Sequence, residues 1–153
     1  MANTYGQAYI HTIFAVKYRA ALLMPEWRQE IFAYMAAVVD EMGQKSMIIN
    51  GVEDHVHMLW GMKPTICIAD TMEKVKTNAS RVINLSERLN SRFEWQTGYG
   101  YFTHSKSQVK RVTKYIEEQE AHHQQQKFAD EYTNLLKKWG IAYDSRYVFD
   151  EPM

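Results

Sequence analysis

Two imidazoles alternate with apolar residues in the stretch Asp54-His55-Val56-His57-Met58-Leu59-Trp60. On a strand, alternate side chains share a face. His55 and His57 therefore point one way, and Val56, Met58 and Trp60 the other. Two neutral imidazoles side by side make half of a metal site. A second stretch, Arg111-Val112-Thr113-Lys114-Tyr115-Ile116-Glu117-Glu118-Gln119, sets Tyr115 four residues before Gln119. On a helix such residues stack on one face, one turn apart. A phenol beside an amide carbonyl supplies a nucleophile and a third ligand for the same cation. Tyrosines on helices commonly serve packing alone; Tyr115 differs in having Arg111 and Gln119 one turn to either side. The basic run Lys106, Lys110, Arg111, Lys114 contains no acid, which suits either a solvated face or a polyanion.

The elements that must position these groups are legible from periodicity. Residues 7–18 read as a central strand, with Tyr9, His11, Ile13 and Ala15 on one face and Ile10, Thr12, Phe14 and Val16 on the other. His11 lies close to the imidazole pair on this reading, as a structural or supporting residue and not a ligand. A helix follows Pro25 and closes at Gly43, carrying Trp27, Ile31, Tyr34, Met35, Val38 and Met42 at helical spacing. Residues 45–53 form the next strand, turning at Glu53-Asp54 into the His-bearing strand, its antiparallel neighbour. A second helix spans about 68–89, with Lys74, Lys76, Arg81 and Arg88 away from its apolar stripe. Residues 93–104 are aromatic and extended, with Gly98 and Gly100 marking a bulge or the close approach of another backbone. Ser105 or Ser107 caps the helix that carries Tyr115. On that helix Arg111, Tyr115 and Gln119 border the core from the shoulder of the Val109, Val112, Ile116 stripe. A last helix runs over about 128–139, and Tyr143, Tyr147 and Phe149 in the tail are expected to pack. The order is that of an α+β, ferredoxin-like antiparallel sheet (βαββαβα) backed by helices.

With 153 residues the chain is expected to be a single domain over 1–153. An apolar fraction of 46% and a charged fraction of 24% are those of a soluble globular protein. The 9 Met, 10 Tyr and 4 Trp are generous, and serve either the core or an interface. Zero net charge argues against a general nucleic-acid coat but leaves room for a local basic patch. Cys67 is the one cysteine, so neither an internal disulfide nor a Cys-rich zinc site is available. No signal pattern opens the sequence and no apolar run is long enough for a bilayer; the expected location is the cytoplasm.

Together these residues resemble the single-tyrosine insertion-sequence transposases of the HUH superfamily (TnpA-type), which move single-stranded DNA. Asp54-His55-Val56-His57-Met58-Leu59 and Tyr115-Ile116-Glu117-Glu118-Gln119 carry the resemblance. Phe14 through Arg19, Trp95 through Gly100 and Gln119 through His123 support it, and it extends over about residues 7–147. The resemblance implies that the tyrosine helix is C-terminal to the sheet, that His55, His57 and Gln119 hold Mg²⁺ or Mn²⁺, and that Tyr115 attacks a phosphodiester to leave a 5′-phosphotyrosine. It implies single-stranded DNA with hairpins at element ends as partner, and a homodimer whose active sites are shared between subunits. Lys17, Arg19, Lys74, Lys76, Arg81 and Arg111 are the expected DNA contacts. Three other readings stay open: a non-catalytic ferredoxin-like dimer that binds nucleic acid, a rolling-circle Rep or relaxase-like endonuclease, and a hydrolytic zinc site using His55, His57 and His122 or His123.

Overall fold

The computed structural model describes residues 3–144 and residue 148. Four antiparallel strands, β1 (Tyr9–Ala15), β2 (Lys45–Gly51), β3 (His55–Gly61) and β4 (Gly100–His104), form one sheet in the order β2-β3-β1-β4. β1 and β3 are central, and their register sets Ala15 opposite His55, Ile13 opposite His57 and His11 opposite Leu59. Residues directly opposite each other share a face. One face therefore carries His11, Ile13, Ala15, His55, His57 and Leu59, joined by Asn50 of β2 and Phe102 of β4. The other carries Ile10, Phe14, Val56, Met58 and Trp60.

Helices α1 (Arg28–Glu41) and α2 (Ile68–Leu85) cover this second face. Phe14, Met58 and Trp60 pack there with Met35 and Val39 of α1 and Met72, Val75 and Ala79 of α2, all fully buried. Trp60 can be buried because its indole N–H donates to the Thr12 hydroxyl at 3.3 Å. α1 ends at Gly43, whose φ of +91° is left-handed backbone. α2 starts at Cys67, whose sulfur accepts from the Asp70 N–H at 3.3 Å. This layer is the helical half of the ferredoxin-like arrangement read from the sequence.

The histidine face is covered by the C-terminal third of the chain: α3 (Val109–Glu117), α4 (Gln119–Gln125) and α5 (Phe128–Lys138). Val112 and Ile116 of α3 pack on Leu59, and Phe128 and Leu136 of α5 pack on Ile13, Ala15 and Phe102. Gly100 is required for this second contact. A Cβ there would lie 2.7 Å from the Tyr132 ring and 3.0 Å from Ile13. The close approach at this glycine is thus made by a side chain of α5 and not, as expected, by another backbone.

Several boundaries differ from those read in the sequence. The extended stretch 93–104 is a strand only from Gly100; before it, residues 94–96 run beside the end of β1 through Lys17 N–Glu94 O and Gln96 N–Ala15 O hydrogen bonds. Gly98, at φ +87°, turns the chain out of the extended form. The tyrosine sits on α3, C-terminal to the sheet as expected, and two helices follow it where one was expected. The long helix expected to unite Tyr115 with Gln119 is broken at Glu118, where φ is −93° and ψ is 23°. The carbonyls freed at the end of α3 are taken up by the side-chain amide of Asn50, which donates to Ile116 O at 2.9 Å and Glu117 O at 3.3 Å. In the tail, Tyr143 keeps 38% of its surface exposed; Tyr147 and Phe149 lie outside the described residues.

Candidate active site

Each imidazole of β3 is held from behind. His55 Nδ1 donates to Asp54 Oδ1 at 2.7 Å, and His57 Nδ1 lies 2.8 Å from His11 Nε2. Both rings are nearly solvent-free, at 1% and 0% exposure. Anchoring Nδ1 aims both Nε2 atoms at one point between the sheet and α5. A histidine that ligates a metal is commonly fixed in this way through its other nitrogen. His11 accordingly falls where the sequence placed it, behind the pair.

The helices supply what meets these nitrogens. Gln119 Oε1 is 3.2 Å from His55 Nε2, while its amide donates to Tyr115 O at 3.3 Å across the helix break. Gln119 is fully buried, so it lies in the core and does not merely border it. The turn at Glu118 drives it in, and α4 is pinned by Arg28–Glu120 and His123–Glu53 contacts of 2.8 Å each. The Tyr115 ring stands edge-on to His57, with centroids 5.6 Å apart, and lies 4.8 Å from the His122 ring. Tyr115 thus lies beside the histidine pair of its own chain.

Glu131, on α5, was not singled out in the sequence, yet it occupies the centre. Its Oε1 is 3.1 Å from both His55 Nε2 and His57 Nε2. Its other oxygen accepts the Tyr115 hydroxyl proton. The ligand atoms of His55, His57 and Glu131 all lie within 4.8 Å of one another. A sequence signal did exist: Glu131 falls between Phe128 and Leu135, three and four residues away, which makes it an acid on the apolar stripe of an amphipathic helix.

The titration behaviour follows from this packing. Burial disfavours the charged form of His55, but hydrogen bonds to Asp54 and Glu131, and their charges, outweigh it and push the ring up to about 9. His57 is lowered, burial prevailing over the attraction of Glu131. Burial alone would raise Glu131; hydrogen bonds from His55 and His57 and their charges instead hold it well below the usual carboxylate range. Burial, with the adjacent Glu131 charge, raises the Tyr115 phenol above its ordinary value. Without a cation, these shifts favour the anionic form of Glu131, the charged form of His55 and the neutral phenol.

The model of the family described as "Transposase IS200 like" matches residues 4–119, which take in both histidines, Tyr115 and Gln119. The chain belongs to this family. It is 27% identical over 124 residues to the ISDra2 transposase TnpA of Deinococcus radiodurans, a match covering 74% of this chain and 89% of that protein. Its fold resembles a crystal structure of a transposase from the same organism, with a TM-score of 0.61, 22% identity and coverage of 78% of this chain and 95% of that one. It also resembles a REP-associated tyrosine transposase solved with a REP hairpin, with a TM-score of 0.60, 12% identity and coverage of 80% and 73%. Membership in an IS200-like family makes the chain a transposase, a DNA-processing class of enzyme. No described helix is long and apolar enough to cross a membrane.

The basic residues expected to touch DNA are not gathered in one place. Arg111 is exposed on α3 and lines a cleft of about 170 Å³ with His11, His104, Tyr115 and Trp139. Lys17 and Arg19 form a tight turn after β1, with Lys17 paired to Glu94 at 3.4 Å. Lys74 and Arg81 are exposed on α2, in the layer across the sheet from the histidines. Lys76 is a tether: its ammonium donates to Gln96 O at 2.9 Å and Gly98 O at 2.8 Å. Among the described residues, no cluster of ligand atoms joins His55 and His57 to His122 or His123, as the zinc reading requires; His123 instead groups with Asp54 and His55.

Proposed function

We propose that this transposase cleaves and rejoins single-stranded DNA by transesterification, with Tyr115 as nucleophile and a divalent cation, Mg²⁺ or Mn²⁺, held by His55, His57 and Gln119. The observation that carries the reading is the convergence of the two Nε2 atoms and the Gln119 carbonyl beside the Tyr115 phenol. The donor set fits the cation: the imidazoles are anchored through Nδ1, and an amide oxygen suits a hard ion.

When bound, the cation would supply Lewis-acid stabilisation of charge on the scissile phosphate. For His57 to offer Nε2 as a lone pair, its proton sits on Nδ1 and is donated to His11. His55 likewise gives up its Nε2 proton and keeps the one shared with Asp54. Tyr115 Oη attacks phosphorus, losing its proton as the new O–P bond forms. The bond to the 3′ oxygen breaks, and that oxygen leaves as a hydroxyl. The product is a 5′-phosphotyrosine, and attack on it by another 3′-hydroxyl rejoins the DNA. One phosphodiester replaces another, so no nucleotide cofactor is consumed. Arg111, exposed beside this cleft, is suited to the DNA backbone; Lys17 and Arg19 extend basic character along the edge near Asp54.

The deciding test is a denaturing gel of the protein with labelled single-stranded DNA from its element ends. With Mg²⁺ or Mn²⁺ we expect a labelled band at protein mass and a free 3′-hydroxyl product. Cleavage without any adduct would make the protein a hydrolytic nuclease.

Partnership with hairpin DNA and assembly as a homodimer belong to the same proposal. Support for the first is the likeness to a transposase solved with a REP hairpin; for the second, the generous aromatic and methionine content. Because Tyr115 meets its own His57, sharing of sites would require α3–α5 to exchange between copies about the 105–108 segment. Mixing His57→Ala with Tyr115→Phe protein distinguishes the arrangements. Exchange restores adduct formation to about half the wild-type level in mixed dimers, and sites completed within one chain restore none. We expect no restoration.

A further inference from the structure

We propose that Glu131 is itself an anionic ligand of the cation, completing the set formed by His55, His57 and Gln119, and that its second oxygen positions the Tyr115 hydroxyl. This deepens the reading above and rests on it. The matched family region ends at Gln119, so Glu131 lies beyond the residues that place the chain in its family.

Three observations carry the inference. First, Oε1 stands 3.1 Å from each Nε2, at the point to which both imidazoles are aimed. Any cation that those nitrogens bind must share its surroundings with this oxygen. Second, the carboxylate has nowhere else to go. Glu131 is 5% exposed, and its helix is fixed by Phe128 and Leu136 in the core with Ile13, Ala15 and Phe102. Tyr132, the next residue, is seated in the space Gly100 leaves. Turning the carboxylate away from the imidazoles and the phenol would bury an unpaired charge. Third, the other ligands are all neutral. A carboxylate supplies both the charge and the oxygen that Mg²⁺ and Mn²⁺ prefer. The second oxygen accepts the Tyr115 hydroxyl proton, so a single side chain sets the spacing between nucleophile and cation.

The competing role for a carboxylate in this position is a plug that the cation must displace. The two roles predict opposite signs for one measurement. Mn²⁺ binding is followed by electron paramagnetic resonance on the wild-type chain and on Glu131→Gln, Glu131→Ala and His57→Ala, with thermal unfolding to verify that each is folded. A ligand role predicts that Glu131→Gln and Glu131→Ala weaken Mn²⁺ binding by about 10- to 100-fold, at least the loss typical of an outer-sphere partner. Unchanged or tighter binding in both overturns the inference and leaves the cation site standing, provided His57→Ala still abolishes binding. Absence of Mn²⁺ binding in the wild type, or binding indifferent to His57→Ala, overturns the cation reading and the inference with it. The positioning half has its own readout. At saturating Mn²⁺ with element-end DNA, Glu131→Gln, whose amide oxygen still accepts a hydrogen bond, should form adduct faster than Glu131→Ala. Equal rates overturn that half.

Discussion

Tyr115→Phe is expected to abolish the covalent protein–DNA adduct, lowering strand cleavage by at least about 10⁴-fold, while hairpin affinity stays within about twofold. Removing a nucleophile removes the covalent route altogether, and residual rates then reflect only binding and electrostatics. A loss of 10⁴ corresponds to about 5 kcal/mol of activation free energy. Affinity is spared because one hydroxyl is lost and the ring remains, packed against His57 and His122 at 5.6 and 4.8 Å. The hydroxyl does hold Glu131, so a modest loss of stability is expected, about 1–2 kcal/mol. The carboxylate retains both imidazole contacts, which keeps the site assembled. Labelled single-stranded DNA checks both claims, on a denaturing gel for the adduct and a native gel for binding. Tyr101 is no substitute: it pairs opposite Thr12, on the sheet face away from the histidines. An adduct that persists in Tyr115→Phe therefore places the chemistry outside this site.

Much of this arrangement could be read from residue spacing because strand and helix periods are rigid. Alternation on β3 decides which side chains face the helices, so the shared face of His55 and His57 followed from sequence alone; that His11 joins them depends on the register of β1 against β3. The antiparallel hairpin of β2 and β3 followed from the short turn at Glu53-Asp54. What sequence did not reveal depends on contacts between distant segments. The break at Glu118 is stabilised by Asn50, 67 residues from Glu117 in the chain, and nothing local in Glu-Glu-Gln marks it. A continuous helix would have carried Gln119 on its shoulder; the break lets it turn fully into the core. Lys76 lies off the apolar stripe of α2, and no local pattern signals that its ammonium meets the carbonyls of Gln96 and Gly98. Glu131 is the site residue least marked in the sequence. Acids on helices are usually solvated, and only its place between Phe128 and Leu135 marked it as facing inward.

His57→Ala is expected to remove the response to divalent cations as well as most of the activity. In the wild type, a cation that binds only the folded chain stabilises it by about 2.7 kcal/mol at one hundred times its Kd. For a chain of this length that is a rise in Tm of roughly 5–10 °C. His57 offers one of the two converging Nε2 atoms, so its loss should eliminate this rise and cut cleavage by about 10³-fold, the worth of a Lewis acid contributing several kcal/mol. The truncation also harms the fold directly. His57 is fully buried, and its removal strands His11 Nε2 and one contact of Glu131, a cost of about 2–4 kcal/mol without any cation. The baseline Tm therefore falls, and the informative quantity is the difference between curves with and without Mn²⁺. His11→Phe separates the two effects. It keeps an aromatic ring in the stack and removes both ring nitrogens, among them the Nε2 that fixes the His57 tautomer, so the cation response should shrink by 10- to 100-fold in affinity without disappearing. A graded loss, complete at His57 and partial at His11, is what a site anchored through Nδ1 requires. If His57→Ala keeps the full Mn²⁺ stabilisation, the cation binds elsewhere and the imidazole pair serves only as a buried polar network around Glu131.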